Sequence, residues 1–143
     1  MTPQERAEKS CATMWEADRA SKWLGLEIAA VGPGRARLTM DVEEHHCNGH
    51  GIAHGGFLFT LADSAFAFAC NSYNQSCVAQ HNQISFIAPG KLGDTLVAEA
   101  REISRTGRSG IYDVTVFSSD GSKVAEMRGC SRQIKGQHFE EDT

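Results

Sequence analysis

Residues 54–73 carry a helical pattern that is apolar around almost the whole circumference. Leu58, Leu61, Ala62, Ala65 and Ala69 recur at 3.6-residue spacing and define one stripe. Phe57, Phe59, Phe66, Ala67, Phe68 and Cys70 spread over the other faces. A helix of this kind must be covered on nearly every side. It is the only long helical run in the chain, so the rest of the fold has to be built around it.

The flanking patterns supply a sheet. A short amphipathic helix is expected within 4–23, closing near Gly25. Glu27–Val31 and Arg35–Val42 read as a strand pair joined at Gly32-Pro33-Gly34, with Ala36, Leu38 and Met40 on one face and Arg37, Thr39 and Asp41 on the other. Strand patterns return near 77–88, 94–104, 110–118 and 122–134, with turns at Pro89-Gly90, Arg105-Thr106-Gly107 and Asp120-Gly121-Ser122. Consecutive hairpin-linked strands imply an antiparallel meander. The expected class is α+β: one long helix against a curved antiparallel sheet of five to six strands. No linker or repeat divides residues 1–143, so one domain is expected, with a flexible tail over 136–143.

One sheet face covers one side of one helix and leaves the rest open. A second copy of the chain is the economical cover, giving a dimer or a higher assembly. The alternative is cover by the chain's own N-terminal helix and loops.

Several classes are disfavoured. The formal net charge of -4 argues against a nucleic-acid partner. No run approaches the roughly 20 apolar residues of a membrane helix. The N-terminus is polar, and the five cysteines are odd in number without CxxC spacing. Reduced thiols in a cytoplasmic protein are expected.

The chemistry concentrates around the long helix. Asp63 lies off the main stripe, with Phe59, Thr60, Phe66 and Ala67 three and four residues away. Apolar surroundings raise a carboxyl pKa and make it a better base; a water-facing or structural carboxylate is the alternative. At His54-Gly55-Gly56, two glycines leave helix-terminal N–H groups unshielded, which suits an oxyanion. The pair also serves any tight turn into a helix. Asp63 lies about 12 Å further along the axis, too far to act from the same helix on a group bound at those N–H donors. An Asp63 on a facing, antiparallel helix would reach it. Asn48, in Asn48-Gly49-His50, offers an amide to a carbonyl or a water, or simply makes a turn. His45, His46, Cys47, His50 and His54 match no standard zinc spacing, so no metal is expected. Ser64 and Ser72 lack the nucleophile elbow. Lys91, Arg105 and Arg108 cluster at turns, where they would hold phosphates or face solvent.

The run N-G-H-x-x-x-H-G-G-F-L-F-T-L-A-D-S-A-F-A-F-A-C-N-S, residues 48–72, resembles the hotdog-fold acyl-CoA thioesterases, most of all the branch serving phenylacetate degradation. The likeness continues through 84–100, 110–114 and 128–134 and spans roughly 14–136. It implies dimers with sheets joined edge to edge, usually paired into tetramers, and an active site between subunits. It implies Asp63 as base or nucleophile, and the Gly55 N–H polarising the thioester carbonyl with Asn48 and His54 in support. Gly56, Gly90, Lys91, Arg105 and Arg108 would contact substrate or CoA. The implied activity is hydrolysis of phenylacetyl-CoA or a ring-hydroxylated arylacetyl-CoA. No cofactor is needed, because CoA is part of the substrate. Many relatives carry a small polar residue on the strand after the helix, where this chain has Val78-Ala79-Gln80-His81-Asn82-Gln83. A non-catalytic acyl-CoA binder on the same fold is the alternative. A dehydratase ranks lower, lacking the usual Asp-plus-His pair around 48–63.

Overall fold

The computed structural model describes residues 1–141. The expected N-terminal helix is two helices. α1 (Pro3–Ala17) begins at Thr2, whose side chain accepts the Glu5 N–H while the Glu5 carboxylate reaches back to the Thr2 N–H. α2 (Arg19–Leu24) begins at Asp18, which accepts the Ser21 N–H. Asp18 thus closes one helix and caps the next. A short carboxylate that can bond its own backbone favours a cap over a continued helix, and apolar periodicity does not register it.

α3 (Gly55–Cys70) is the apolar helix, bounded by His54 and Asn71. It crosses the inner face of a six-stranded antiparallel sheet. The strands are β1 (Glu27–Gly32), β2 (Arg35–Asp41), β3 (Cys77–Phe86), β4 (Thr95–Thr106), β5 (Ser109–Phe117) and β6 (Lys123–Gln133). Ala36, Leu38 and Met40 of β2 are buried and their intervening neighbours are not, as the alternation predicts. Together with Leu96, Ala98, Val114 and Val116 they form one core with Leu58, Leu61, Ala62, Ala65 and Ala69 of α3. The outer sheet face is polar, with ion pairs Arg37–Glu99, Arg101–Glu126 and Arg128–Asp113.

The strand order is β1-β2-β4-β5-β6-β3. β4, β5 and β6 form the expected meander, but β3 pairs with β6 and lies at the far edge. The chain therefore crosses the sheet between β3 and β4. That crossing is pinned to the loop before α3: the Ala53 N–H donates to the Gly90 carbonyl at 2.8 Å, and Ile52 bridges to Lys91. The start of α3 and the Pro89-Gly90 segment are thereby held together.

The segment expected as a flexible tail is docked from Gly136 to Glu141. Asn74 accepts the N–H groups of His138 and Phe139 and donates to the Phe139 carbonyl and the Glu141 carboxylate. Glu141 also pairs with Arg6 of α1 at 2.8 Å. Asp142 and Thr143 lie outside the described residues. No helix of the described residues is long and apolar enough to cross a membrane.

Candidate active site

His54 is extended (φ -61°, ψ 135°), and its Nδ1 accepts the Gly56 N–H at 2.9 Å. Its own N–H donates to the His46 carbonyl at 2.7 Å, and its carbonyl accepts from Phe57 and Leu58. The histidine therefore fixes where α3 starts. Gly56, expected at the substrate, gives its N–H to His54 instead. The Gly55 N–H has no partner among the described residues. It is the open donor at the positive end of a 16-residue helix. A Cβ on Gly55 would stand 3.2 Å from the Phe86 ring, so the ring lies close beside the Gly55 Cα.

Asn48 is brought to the same place by a tight loop. Its Oδ1 accepts the His50 N–H at 2.9 Å, its N–H donates to the Ile52 carbonyl, and its carbonyl accepts from Gly51. It is a turn residue, as one reading had it, and its amide nitrogen remains uncommitted among the described residues. Asn48, Gly55 and Gly90 line one cavity of about 300 Å³ with Phe86 and Pro89. Lys91 follows Gly90 and is exposed at its side.

His46 and His54 are engaged structurally. His46 accepts the Glu43 N–H through Nδ1, and its Nε2 meets the Leu24 carbonyl at 2.9 Å. Among the described residues no three of His, Cys, Asp and Glu converge as a metal site. The five cysteines form no disulfide.

Asp63 lies two turns along α3 from Gly55, half-buried on the side that meets β3. Ser21 of α2 bonds Ser64 at 3.0 Å, which anchors this stretch of the helix. Burial pushes the Asp63 carboxyl above its ordinary value, and the Asn82 amide lowers it in part. Asn82 Nδ2 donates to Asp63 Oδ1 at 2.7 Å. The sequence reading missed this partner. Asn82 stood in a strand segment noted only for bulk and polarity, and no motif links positions 63 and 82. The one available signal was alternation, which puts Asn82 and Ile84 on the inner face of β3.

Arg105 and Arg108 lie elsewhere. They belong to the β4–β5 hairpin, and the Arg105 guanidinium stacks on the Tyr73 ring at 3.8 Å, just past the C-terminal end of α3. By helix rise that end is about 24 Å from Gly55. Within one chain, then, Asn48, Gly55 and Gly90 come together, Asp63 stands apart, and the two arginines are remote.

Comparison with known proteins gives several relatives. The sequence pattern of the thioesterase superfamily matches residues 50–125. The acyl-coenzyme A thioesterase PaaI of Escherichia coli is 40% identical over 131 residues, 92% of this chain and 94% of the relative. The solved structure of the E. coli PaaI protein from the phenylacetic acid degradation operon superposes with a TM-score of 0.94 at 39% identity, covering 95% of this chain and 99% of that one. A hypothetical thioesterase of Streptococcus pneumoniae, solved with coenzyme A, superposes with a TM-score of 0.74 at 27% identity over 78% of this chain and 90% of its own.

Proposed function

The chain belongs to the thioesterase superfamily, and from that premise we propose that it hydrolyses acyl-CoA thioesters at a site shared by two copies. The observation that carries the reading is the open Gly55 N–H at the start of α3, inside a cavity whose rim includes Asn48 and Gly90. A thioester carbonyl oxygen seated there gains a backbone donor and the helix dipole as negative charge develops on it. Asn48 steadies the same oxygen or a water, and His54 fixes the donor by capping the helix.

The carboxylate comes from the second copy. β3 is an edge strand whose outer side has no partner among the described residues, and Val78 and Phe86 on it and Ile87 just after it are exposed. Antiparallel pairing of two β3 strands about a twofold axis joins the sheets and sets the two α3 helices antiparallel. Asp63 of one chain then faces Gly55 of the other. The same axis carries the second chain's Arg105–Arg108 hairpin toward this cavity, where it and Lys91 meet the CoA phosphates. Pairing of dimers into tetramers covers more of the outer α3 face. No metal or organic cofactor is required, and the free thiols support a cytoplasmic setting.

In the reaction, Asp63 takes a proton from water and the resulting hydroxide adds to the carbonyl carbon. The tetrahedral oxyanion collapses, the C–S bond breaks, and the CoA thiolate leaves with the proton from Asp63. Direct attack by Asp63 would pass through an acyl anhydride. A single turnover in H2(18)O that leaves label in Asp63 establishes the anhydride route, opened by water at the aspartyl carbon, and trapping of an acyl-enzyme detects that route when water attacks the acyl carbon instead. The likeness to E. coli PaaI over nearly the whole chain supports phenylacetyl-CoA or a ring-hydroxylated arylacetyl-CoA as substrate.

A panel of acyl-CoA esters with a free-thiol readout tests the proposal. Arylacetyl-CoA esters are expected to turn over fastest, and Asp63→Ala to lose most turnover while still binding CoA esters. Tight binding with silence across the panel would instead establish a non-catalytic acyl-CoA binder.

A further inference from the structure

The Asn82 side chain is not explained by packing. Its Nδ2 donates to Asp63 Oδ1 at 2.7 Å, but its Oδ1 is buried and has no partner among the described residues. A buried carbonyl without a donor destabilises a fold, and a leucine of similar size would carry no such cost. Room for the amide is left by Gly129, its partner across the β3–β6 ladder. A Cβ on Gly129 would come within 2.8 Å of the Phe66 ring and 3.0 Å of Asn82 Oδ1. The amide is thus held between β6 and α3 with its donor on the carboxylate. Turned over, it would set a carbonyl oxygen against that carboxylate.

We propose that Asn82 is a positioning residue for the thioester reaction: its amide holds Oδ1 of Asp63, favours the ionised carboxylate and leaves Oδ2 as the reacting oxygen. The proposal rests on Asp63 being the reacting carboxylate. Oδ2 has no hydrogen-bond partner among the described residues, so it is the oxygen free to meet water or substrate. The groups around Asp63 leave this task to Asn82. On α3, the Cys70 thiol is kept neutral by its hydrogen bond with Cys77 and by burial. Across from Asn82, β6 presents Gly129, and α2 presents Ser21, bonded to Ser64. His81 and Gln83 flank Asn82 on the opposite, exposed face of β3. Among the described residues no cation and no second carboxylate contributes to the Asp63 shift, only burial and the Asn82 amide.

The test compares Asn82→Ala, Asn82→Leu and Asn82→Asp in the full chain. Two readouts are used: the pH profile of kcat/KM, and the carboxyl-carbon NMR titration of Asp63, which needs no turnover. Removing a donor from an ionised carboxylate shifts the acid limb to higher pH. At the pH where the unaltered enzyme keeps half its plateau, Asn82→Ala and Asn82→Leu are expected to keep about a tenth of theirs. Asn82→Asp preserves shape but sets two carboxylates together, so its limb and its NMR titration should move furthest. A packing role predicts the reverse order, with the isosteric aspartate nearest the unaltered enzyme. An unmoved Asp63 titration in Asn82→Asp overturns the proposal whatever the activity. A titration that moves while the activity profile stays fixed overturns Asp63 as the reacting group.

Discussion

A half-buried carboxylate weakens the fold whenever it is charged, and Asp63 is such a group. Burial holds its folded-state pKa above the unfolded value, the Asn82 amide offsetting only part of this. The folded chain therefore binds more protons than the unfolded one between the ordinary carboxylate range and the raised value. Stability contributed by protonated Asp63 is fully present below the unfolded pKa and is lost as pH rises through the folded one. Asp63→Asn keeps the shape, can still accept from Asn82 and never ionises. It is expected to melt above the unaltered protein by a few degrees at neutral pH, with no advantage at a pH below the ordinary carboxylate range, and to be inactive. Thermal melts at the two pH values check this, and a lower melting temperature at neutral pH would contradict it. Asp63 was legible from its neighbours three and four residues along the helix. Asn82 was not, because the pair depends on β3 packing beside α3, and sequence spacing carries no such information.

At the scale of elements, the start of α3 is where backbone geometry becomes chemistry. His54 caps the helix and occupies the Gly56 N–H, so Gly55 alone remains open among the described residues. Gly55 is the first helical residue, and His54 before it already has the extended backbone that precedes proline. Proline is favoured at that position because its missing N–H is not needed there. A Cβ there stands 3.2 Å from the exposed Phe86 ring, which must shift, so Gly55→Pro is expected to change stability by no more than about 1 kcal/mol either way. It should also lower kcat by about 10²- to 10³-fold through loss of the oxyanion donor. Steady-state kinetics beside a denaturation curve tests this, and full activity would remove Gly55 from the mechanism. The Gly-Gly pair marked the element in sequence. Which glycine stays open depended on the His54 ring, whose side-chain rotamer no pattern encodes.

At the scale of the whole molecule, one chain holds Gly55 and Asp63 about 12 Å apart along a rigid helix, while β3 presents an unpaired edge. If each site takes its donor from one copy and its carboxylate from the other, two inactive variants should complement. Mixing Asp63→Ala with Gly55→Pro under subunit exchange gives half heterodimers, each with one intact site of two, hence about a quarter of full activity. No recovery, with exchange verified by mass, would mean that the site lies within one chain.

The sequence by itself determined the kinds of element and where most of them turn. Apolar periodicity and glycine-proline punctuation are local properties, written in consecutive residues. It also marked Asp63, Gly55 and Asn48, each through its own neighbours. Tertiary structure decided what depends on residues far apart in the chain. It split the N-terminal helix at Asp18, sent β3 to the edge beside β6, and docked residues 136–141 on Asn74. It left Arg105 and Arg108 remote from Gly55 within one chain and put Asn82 against Asp63. Strand order and side-chain pairing across elements are settled by how one apolar helix is covered, and that is a property of the packed chain.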